Sequence, residues 1–345
     1  MLNIKGPFRT VCEWNKMRKV IVTGSQGFIG GYLVKALLQK GYYVYGIDNF
    51  SKYGKIKRAH DNNPSFKLVE HDLTQSFPRF LDIDYIIAGA AMIGGISYFH
   101  QFAYDLLSSN ERISCNTFDA AIKLNGLKKI VVMSSSMVFE NTTEFPSPES
   151  ALKQSPPPDS SYGFQKLATE YFARAAYEQH GLKYTIVRPF NCIGIGEDEA
   201  IAKSDIISGN IKLTLSHVVP DLIIKILKGQ NPLHILGSGE QTRNFTNGKD
   251  IARGIVMAIE NPKAQNEDFN ISTDENIRII DLAKKIWVKI NGDQPFNVVH
   301  DEPFRYDIPH RKPNTTKAKT ILGFEADYTL DKSLDEVIDY IRKTY

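Results

Sequence analysis

Lys19-Val-Ile-Val-Thr23, followed at once by Gly24-Ser-Gln-Gly27-Phe-Ile-Gly30, decides the fold. A short β-branched run reads as a buried strand, and the pattern after the glycines is helical as far as Lys40. With no side chains at Gly24, Gly27 and Gly30, the backbone can turn tightly and aim helix N-terminal amides at an anion. A dinucleotide pyrophosphate fits such a turn, with Gln26, Phe28 and Ile29 among its contacts. The spacing is GxxGxxG rather than GxGxxG, and an ordinary strand-to-helix turn would use glycines in the same way. Asp48 distinguishes the two, because it stands at the end of the next strand-like run. There an acidic side chain accepts hydrogen bonds from both adenosine ribose hydroxyls and repels a 2′-phosphate, favouring NAD over NADP. The alternative is that Asp48 caps a turn, with Lys52, Lys55, Lys57 and Arg58 nearby to serve a phosphate.

Outward from this turn, the first half alternates strand-like and helix-like segments. The strand-like runs are Lys19–Thr23, Tyr43–Ile47, Lys67–Glu70, Tyr85–Ala88, Lys129–Ser134 and Lys183–Arg188. Apolar residues recur at three and four through Gly30–Lys40, Asp105–Leu124 and Tyr162–His180. That order predicts an α/β, doubly wound parallel sheet of the Rossmann kind. Beyond Arg188, glycines and prolines from Gly194 to Gly239 break the alternation. A smaller, discontinuous C-terminal substrate domain is expected there. The expected division is a leader at 1–16, an NAD-binding Rossmann domain at 17–190 and 246–271, and a nucleotide-sugar-binding region at 191–245 and 272–345.

Length and charge exclude several classes. A chain of 345 residues, 42% hydrophobic and 23% charged, suits one large or two fused globular domains. Lys+Arg 42 against Asp+Glu 39 leaves +3, so no polyanion surface of the nucleic-acid kind is expected. Cys12, Cys115 and Cys192 form no CxxC pair, which fits a reduced cytoplasm and predicts no metal site. The residues before Met17 lack the apolar run of a signal peptide, and the uncharged stretch Tyr85–Tyr104 carries too many glycines and polar groups for a membrane span.

Two further features point to one chemistry. Tyr162-Gly-Phe-Gln-Lys166 puts a phenol and an ammonium on one helix face. A neighbouring cation and a cationic nicotinamide would stabilise the phenolate, making Tyr162 a usable base near neutral pH. Ser134-Ser135-Ser136 falls at the carboxyl end of the fifth strand, where crevices of open α/β sheets lie. One of these hydroxyls can meet the substrate oxygen whose proton Tyr162 removes. A surface Tyr/Lys pair and a serine turn are each common alone. Their order behind a dinucleotide turn and an acidic ribose reader is what singles them out.

From Met17 onward the chain resembles the extended short-chain dehydrogenase/reductases of the nucleotide-sugar epimerase and dehydratase family. The matching pieces are Gly24–Gly30, Asp48-Asn49, Asp72-Leu73, Ala90-Ala91, Ser134–Phe139, Tyr162–Lys166, Arg188–Asn191, Gly237–Phe245 and Arg311–Leu322. The resemblance implies Ser135, Tyr162 and Lys166 as catalytic residues, with Lys166 on the nicotinamide ribose. It places Asp72 and Leu73 at the adenine, Asn49, Ala90, Ala91 and Ser134 along the cofactor, and Pro189 at the nicotinamide. Ser135, Ser136, Asn191, Arg243 and Arg311 would meet a UDP- or GDP-sugar, guanidinium forks suiting phosphate oxygens. A surface salt bridge is the ordinary alternative for either arginine. The family also implies a homodimer through its two long helices.

Departures choose among reactions. The 4,6-dehydratases carry Asp-Glu where Ser136-Met137 stands, UDP-glucuronate decarboxylases put Glu at Met137, and GDP-mannose 3,5-epimerase and GDP-fucose synthase put Cys there. Methionine has no exchangeable proton. The reading is therefore an NAD-dependent epimerase acting at sugar C4 through a 4-keto intermediate. The alternatives are a GDP-mannose 3,5-epimerase-like enzyme, should His217 or Lys203 reach C3 or C5, a 4,6-dehydratase, a 4-dehydrogenase, or a non-catalytic dinucleotide sensor or scaffold. Asp205 is a further acid/base candidate.

Overall fold

A computed structural model of the protein describes residues 17–93, 102–197, 206–208, 211–213, 217–303 and 308–344. The expected leader, Cys12, Lys203 and Asp205 lie outside the described residues.

Seven parallel strands make the central sheet: β1 Lys19–Thr23, β2 Tyr43–Asp48, β3 Phe66–Glu70, β4 Tyr85–Ala88, β5 Lys129–Met133, β6 Tyr184–Pro189 and β7 Glu267–Ile271. Their order is β3-β2-β1-β4-β5-β6-β7. The doubly wound sheet expected from the alternation is therefore present, and the strand order reverses between β1 and β4. A ligand crevice opens at such a reversal, beyond the carboxyl ends of the strands.

Strand side chains point alternately to two buried faces, which is why these runs read as continuous apolar stretches. On one face Val20, Val22, Val44, Val131 and Val187 pack with Leu33, Val34 and Leu37 of α1 (Phe28–Gln39) and Ile251 and Ile255 of a later helix, Gly248–Glu260. On the other, Ile21, Ile47, Ile86, Ile130 and Ile186 pack with Phe118 of α2 (Ala103–Lys123) and Ala173 of α3 (Ser161–His180). Ser160 caps α3 by accepting from the Gly163 amide at 3.0 Å, and Gly181 ends it with a left-handed φ of 68°.

A second core gathers Leu222, Ile223 and Ile226 of α4 (Val218–Leu227), Leu282 and Ile286 of a helix at Ile279–Asn291, and Leu334, Val337 and Ile338 of the last helix, Leu330–Ile341. Strand Leu233–Leu236 crosses this core, paired in parallel with Val298–Asp301. The chain does not stay there. Ala318, Leu322 and Phe324, within the 272–345 stretch expected on the substrate side, instead bury their side chains in the first core. Apolar side chains on a short helical turn follow the available apolar surface, and Gly254 of the Gly248–Glu260 helix lets Phe324 approach.

Candidate active site

All the residues singled out as cofactor or substrate contacts line one cleft of about 660 Å³ at the crevice between β1 and β4. Its cofactor end is built from backbone. Gly24 has φ +72°, and a Cβ on Gly30 would lie 2.0 Å from the Gly24 carbonyl oxygen, so only glycine closes this turn. One Asp48 carboxylate oxygen accepts from the Gln26 amide at 2.9 Å, the other from the Phe50 amide at 2.8 Å. The turn-capping and ribose-reading alternatives are thus compatible: each oxygen keeps a lone pair for a hydroxyl while the carboxylate braces both loops. Of the four nearby cations, Lys55 pairs with Glu70 at 2.7 Å and Arg58 donates to the Gln26 carbonyl at 3.0 Å.

Below the glycine turn, Thr23 Oγ1 accepts from the amides of Gly89 and Ala90, at 2.9 and 3.0 Å. Asn110 of α2, buried, takes the Met92 amide at 2.6 Å and returns a hydrogen bond to its carbonyl at 3.0 Å. Ala90 and Ala91 are held between these two clamps. Asn110 escaped sequence reasoning because an asparagine inside a helix has no local signature.

The Ser135, Tyr162 and Lys166 set lies where β5 stops. Tyr162 and Ser135 are buried together, with Lys166 Nζ 5.9 Å from the phenol ring centroid and donating to the Met133 carbonyl at 3.0 Å. Burial pushes the Tyr162 phenol above its ordinary range, outweighing the downward pull of a hydrogen bond with Ser135 and of the charge of Arg311. Lys166 was expected to acidify the phenol. Here burial lowers the lysine itself to about 8, and the charge of Arg311 also acts on Tyr162. Ser135 Oγ also accepts from the Met137 amide at 3.2 Å. Ser134 faces away: its hydroxyl donates to Glu170 at 2.6 Å, and that carboxylate is held by Arg188 through two contacts of 2.7 Å. Arg188 continues to the half-buried Asp268 at 2.7 Å, so an ion cluster centred on two fully buried side chains, Glu170 and Arg188, ties β5, β6, β7 and α3 together beneath Ser135.

Met137 sits with Leu106, Tyr162 and Ile308 in a small apolar cluster, its sulfur 2.8 Å from Arg311 Nη2. Arg311 Nη1 donates to Asn191 Oδ1 at 3.2 Å, and Asn191 itself takes a φ of 32°. Arg243 is held through Nη1 by the carbonyls of Thr242 and Ile308, at 2.8 and 2.7 Å. His217 lines the cleft and bonds to the buried Glu197, another residue with no local sequence signal. The described residues contain no helix long and apolar enough to cross a membrane.

A glycine turn at the switch point, an acidic residue ending β2, and a Ser/Tyr/Lys set at the end of β5 define a dinucleotide-dependent enzyme of the extended short-chain dehydrogenase/reductase type. The chain belongs to the NAD dependent epimerase/dehydratase family, whose model matches residues 20–272. It is 28% identical over 335 residues to a UDP-N-acetyl-alpha-D-glucosaminuronate decarboxylase of Bacillus cytotoxicus, covering 94% of this chain and 98% of that one. Among solved structures, a UDP-N-acetylglucosamine 4-epimerase from Methanobrevibacter ruminantium, in complex with UDP-N-acetylmuramic acid, superposes with a TM-score of 0.82 at 26% identity, covering 96% of this chain and 100% of that one. A UDP-glucuronic acid 4-epimerase from Bacillus cereus, with UDP-glucuronic acid and NAD, gives 0.76 at 26%, covering 95% and 100%. NAD is the cofactor, and the Gly24–Gly30 turn with Asp48 fits it. The protein is an NAD-dependent enzyme of nucleotide-sugar modification.

Proposed function

We propose that the protein epimerises a nucleotide-diphosphate sugar through transient oxidation at C4. The observation that carries this reading is Ser135 and Tyr162 buried together against Met137, a residue that can neither give nor take a proton. NAD, held by the Gly24–Gly30 turn and Asp48, would supply the reversible hydride acceptor. Ser135 orients the C4 hydroxyl, and Tyr162 removes its proton and later returns it. Lys166 serves the nicotinamide ribose, and Pro189 shapes that end. Met137 and Ile308 keep water from the ring. Arg243, Arg311 and Asn191 hold the diphosphate and the sugar, with Ser136 beside them. In this assignment 17–190 and 246–271 carry the cofactor, while 191–245 and most of 272–345 carry the sugar nucleotide.

Arg311 favours a second reading, in which the sugar is a hexuronic acid. Its guanidinium lies beside Tyr162 and Met137, where it suits a C6 carboxylate. Oxidation at C4 would make that acid a β-keto acid, from which CO2 departs with the bonding electrons left on C5. The decarboxylase relatives support it, and the absence of an acid at Met137 weighs against it. The His217–Glu197 pair supports the 3,5-epimerase alternative.

One assay separates these readings. The purified enzyme is incubated with UDP-, GDP- and dTDP-sugars and uronic acids in D2O, and products are read by NMR. C4 inversion without deuterium at C3 or C5 is expected. CO2 release would favour decarboxylation, and deuterium at C3 or C5 would favour the 3,5-type reaction. Tyr162→Phe should lower turnover by about 10²–10⁴-fold, whereas undiminished turnover would sink the role given to Tyr162. The outer sides of α2 and α3 expose Tyr104, Phe164 and Tyr171. A homodimer through them is the proposed assembly, and sedimentation at about twice the 38.9 kDa chain mass checks it.

A further inference from the structure

The cleft wall beyond Arg243 carries two charged side chains that the reaction does not use, Lys225 and Asp221. Contacts order the wall: Arg311 touches Met137 at the reacting end, its neighbour His310 bridges Thr242, and Arg243 follows Thr242. The chain from there leads back to strand Leu233–Leu236, against which Lys225 of α4 is held. Lys225 is only 3% exposed, yet it lines the cleft and donates to the His234 carbonyl at 2.9 Å. Asp221, one helical turn earlier, lines the same wall and acts on the lysine charge. Burial lowers the basicity of Lys225, and Asp221 and Asp301 work against that loss. A buried ammonium is costly unless its donors are used, and the His234 carbonyl takes one of three.

Resting on the nucleotide-sugar reading, a substrate laid from Tyr162 past the two guanidinium groups brings its base to this wall. We propose that Lys225 and Asp221 read the base and select one that presents a ring carbonyl beside a ring N–H. An ammonium only donates and a carboxylate only accepts, so the pair matches the oxygen and N–H of uracil, thymine or guanine. Cytosine and adenine present an amino donor beside a ring-nitrogen acceptor. That edge sets donor against donor and acceptor against acceptor, leaving the buried ammonium and the half-buried carboxylate without a match on the base, which is how a site rejects an analogue strongly.

The test is calorimetric titration of the NAD-loaded protein with UDP, dTDP, GDP, CDP and ADP. The tightest of the first three should bind at least about tenfold better than CDP or ADP. Which of the three binds tightest names the base. Lys225→Met and, separately, Asp221→Asn should each bring that ratio within about threefold of unity. Wild-type binding of CDP or ADP within threefold of the best ligand overturns the proposal, as does a ratio that survives either substitution. If Lys225→Met fails to fold, Asp221→Asn decides alone. Indiscriminate binding would overturn base selection only, whereas failure of every nucleoside diphosphate to bind would overturn the nucleotide-sugar reading as well.

Discussion

The two ends of the cleft are made in different ways. At the cofactor end, recognition comes from backbone: a glycine turn, helix amides, and an aspartate that braces two loops within 25 residues of chain, Gly24 to Asp48. At the end proposed for the sugar the lining is made of side chains, drawn together from Met137, Asn191, Arg243 and Arg311, with Lys225 bonded to a strand carbonyl further on. A backbone site tolerates almost no added atom at its glycines. A side-chain site loses one contact at a time, so substitutions at the two ends should fail differently.

Gly30→Val should have the largest effect. With even a Cβ placed 2.0 Å from the Gly24 carbonyl oxygen, the turn must open. NAD recovered from the denatured protein should fall to background, and near-normal retention would break the contrast. Arg311→Met should do less and act at the other end. It is expected to raise KM for the sugar nucleotide by about 10–100-fold, from loss of a charge-assisted contact worth roughly 1.5–3 kcal/mol, with NAD content unchanged. Loss of cofactor in this variant would show that the ends are not separable. The smallest effect belongs to the ion cluster beneath both. Burial pushes the Asp268 carboxyl up, but Arg188 and Lys317 outweigh it and hold the group at about 2. A carboxyl depressed from 3.8 contributes stability that is present above about pH 4 and lost as pH falls through about 2. The difference in unfolding free energy between wild type and Asp268→Asn, about 2 kcal/mol near pH 6, should therefore shrink across that window in denaturant titrations.

The same contrast explains what could be read from the chain alone. Strands β1 to β6 were legible to within a residue or so at each end because both sides of a parallel sheet are buried and each strand is a local apolar run. The glycine turn and Tyr162–Lys166 were legible because their geometry is set over a few residues. Beyond Arg188, the pairing of Leu233–Leu236 with Val298–Asp301 joins segments some 65 residues apart and leaves no periodic trace. Lys225 and Asp221 satisfy the i,i+4 rule, but that spacing also describes an ordinary solvated helix face. Only burial against the cleft separates the two cases. The phenol's electrostatics were misjudged for a related reason: burial, which raises it, and Arg311, which opposes that rise from 149 positions away in the chain, are announced by no local pattern.

Arg311 sits between two single-residue staples. His310 pairs with Thr242 on the sugar side, and Pro313 pairs with Ser147 beside the sheet. Further bonds reinforce the second staple, from the Ser147 amide to the Lys312 carbonyl at 2.8 Å and from the Asn314 amide to the Ser147 carbonyl at 2.9 Å. Any hinge that parted those two anchorages would have to unfasten one of them and let the guanidinium drift from the phenol it tunes. Widening the mouth would then also withdraw a positive charge from beside the phenol.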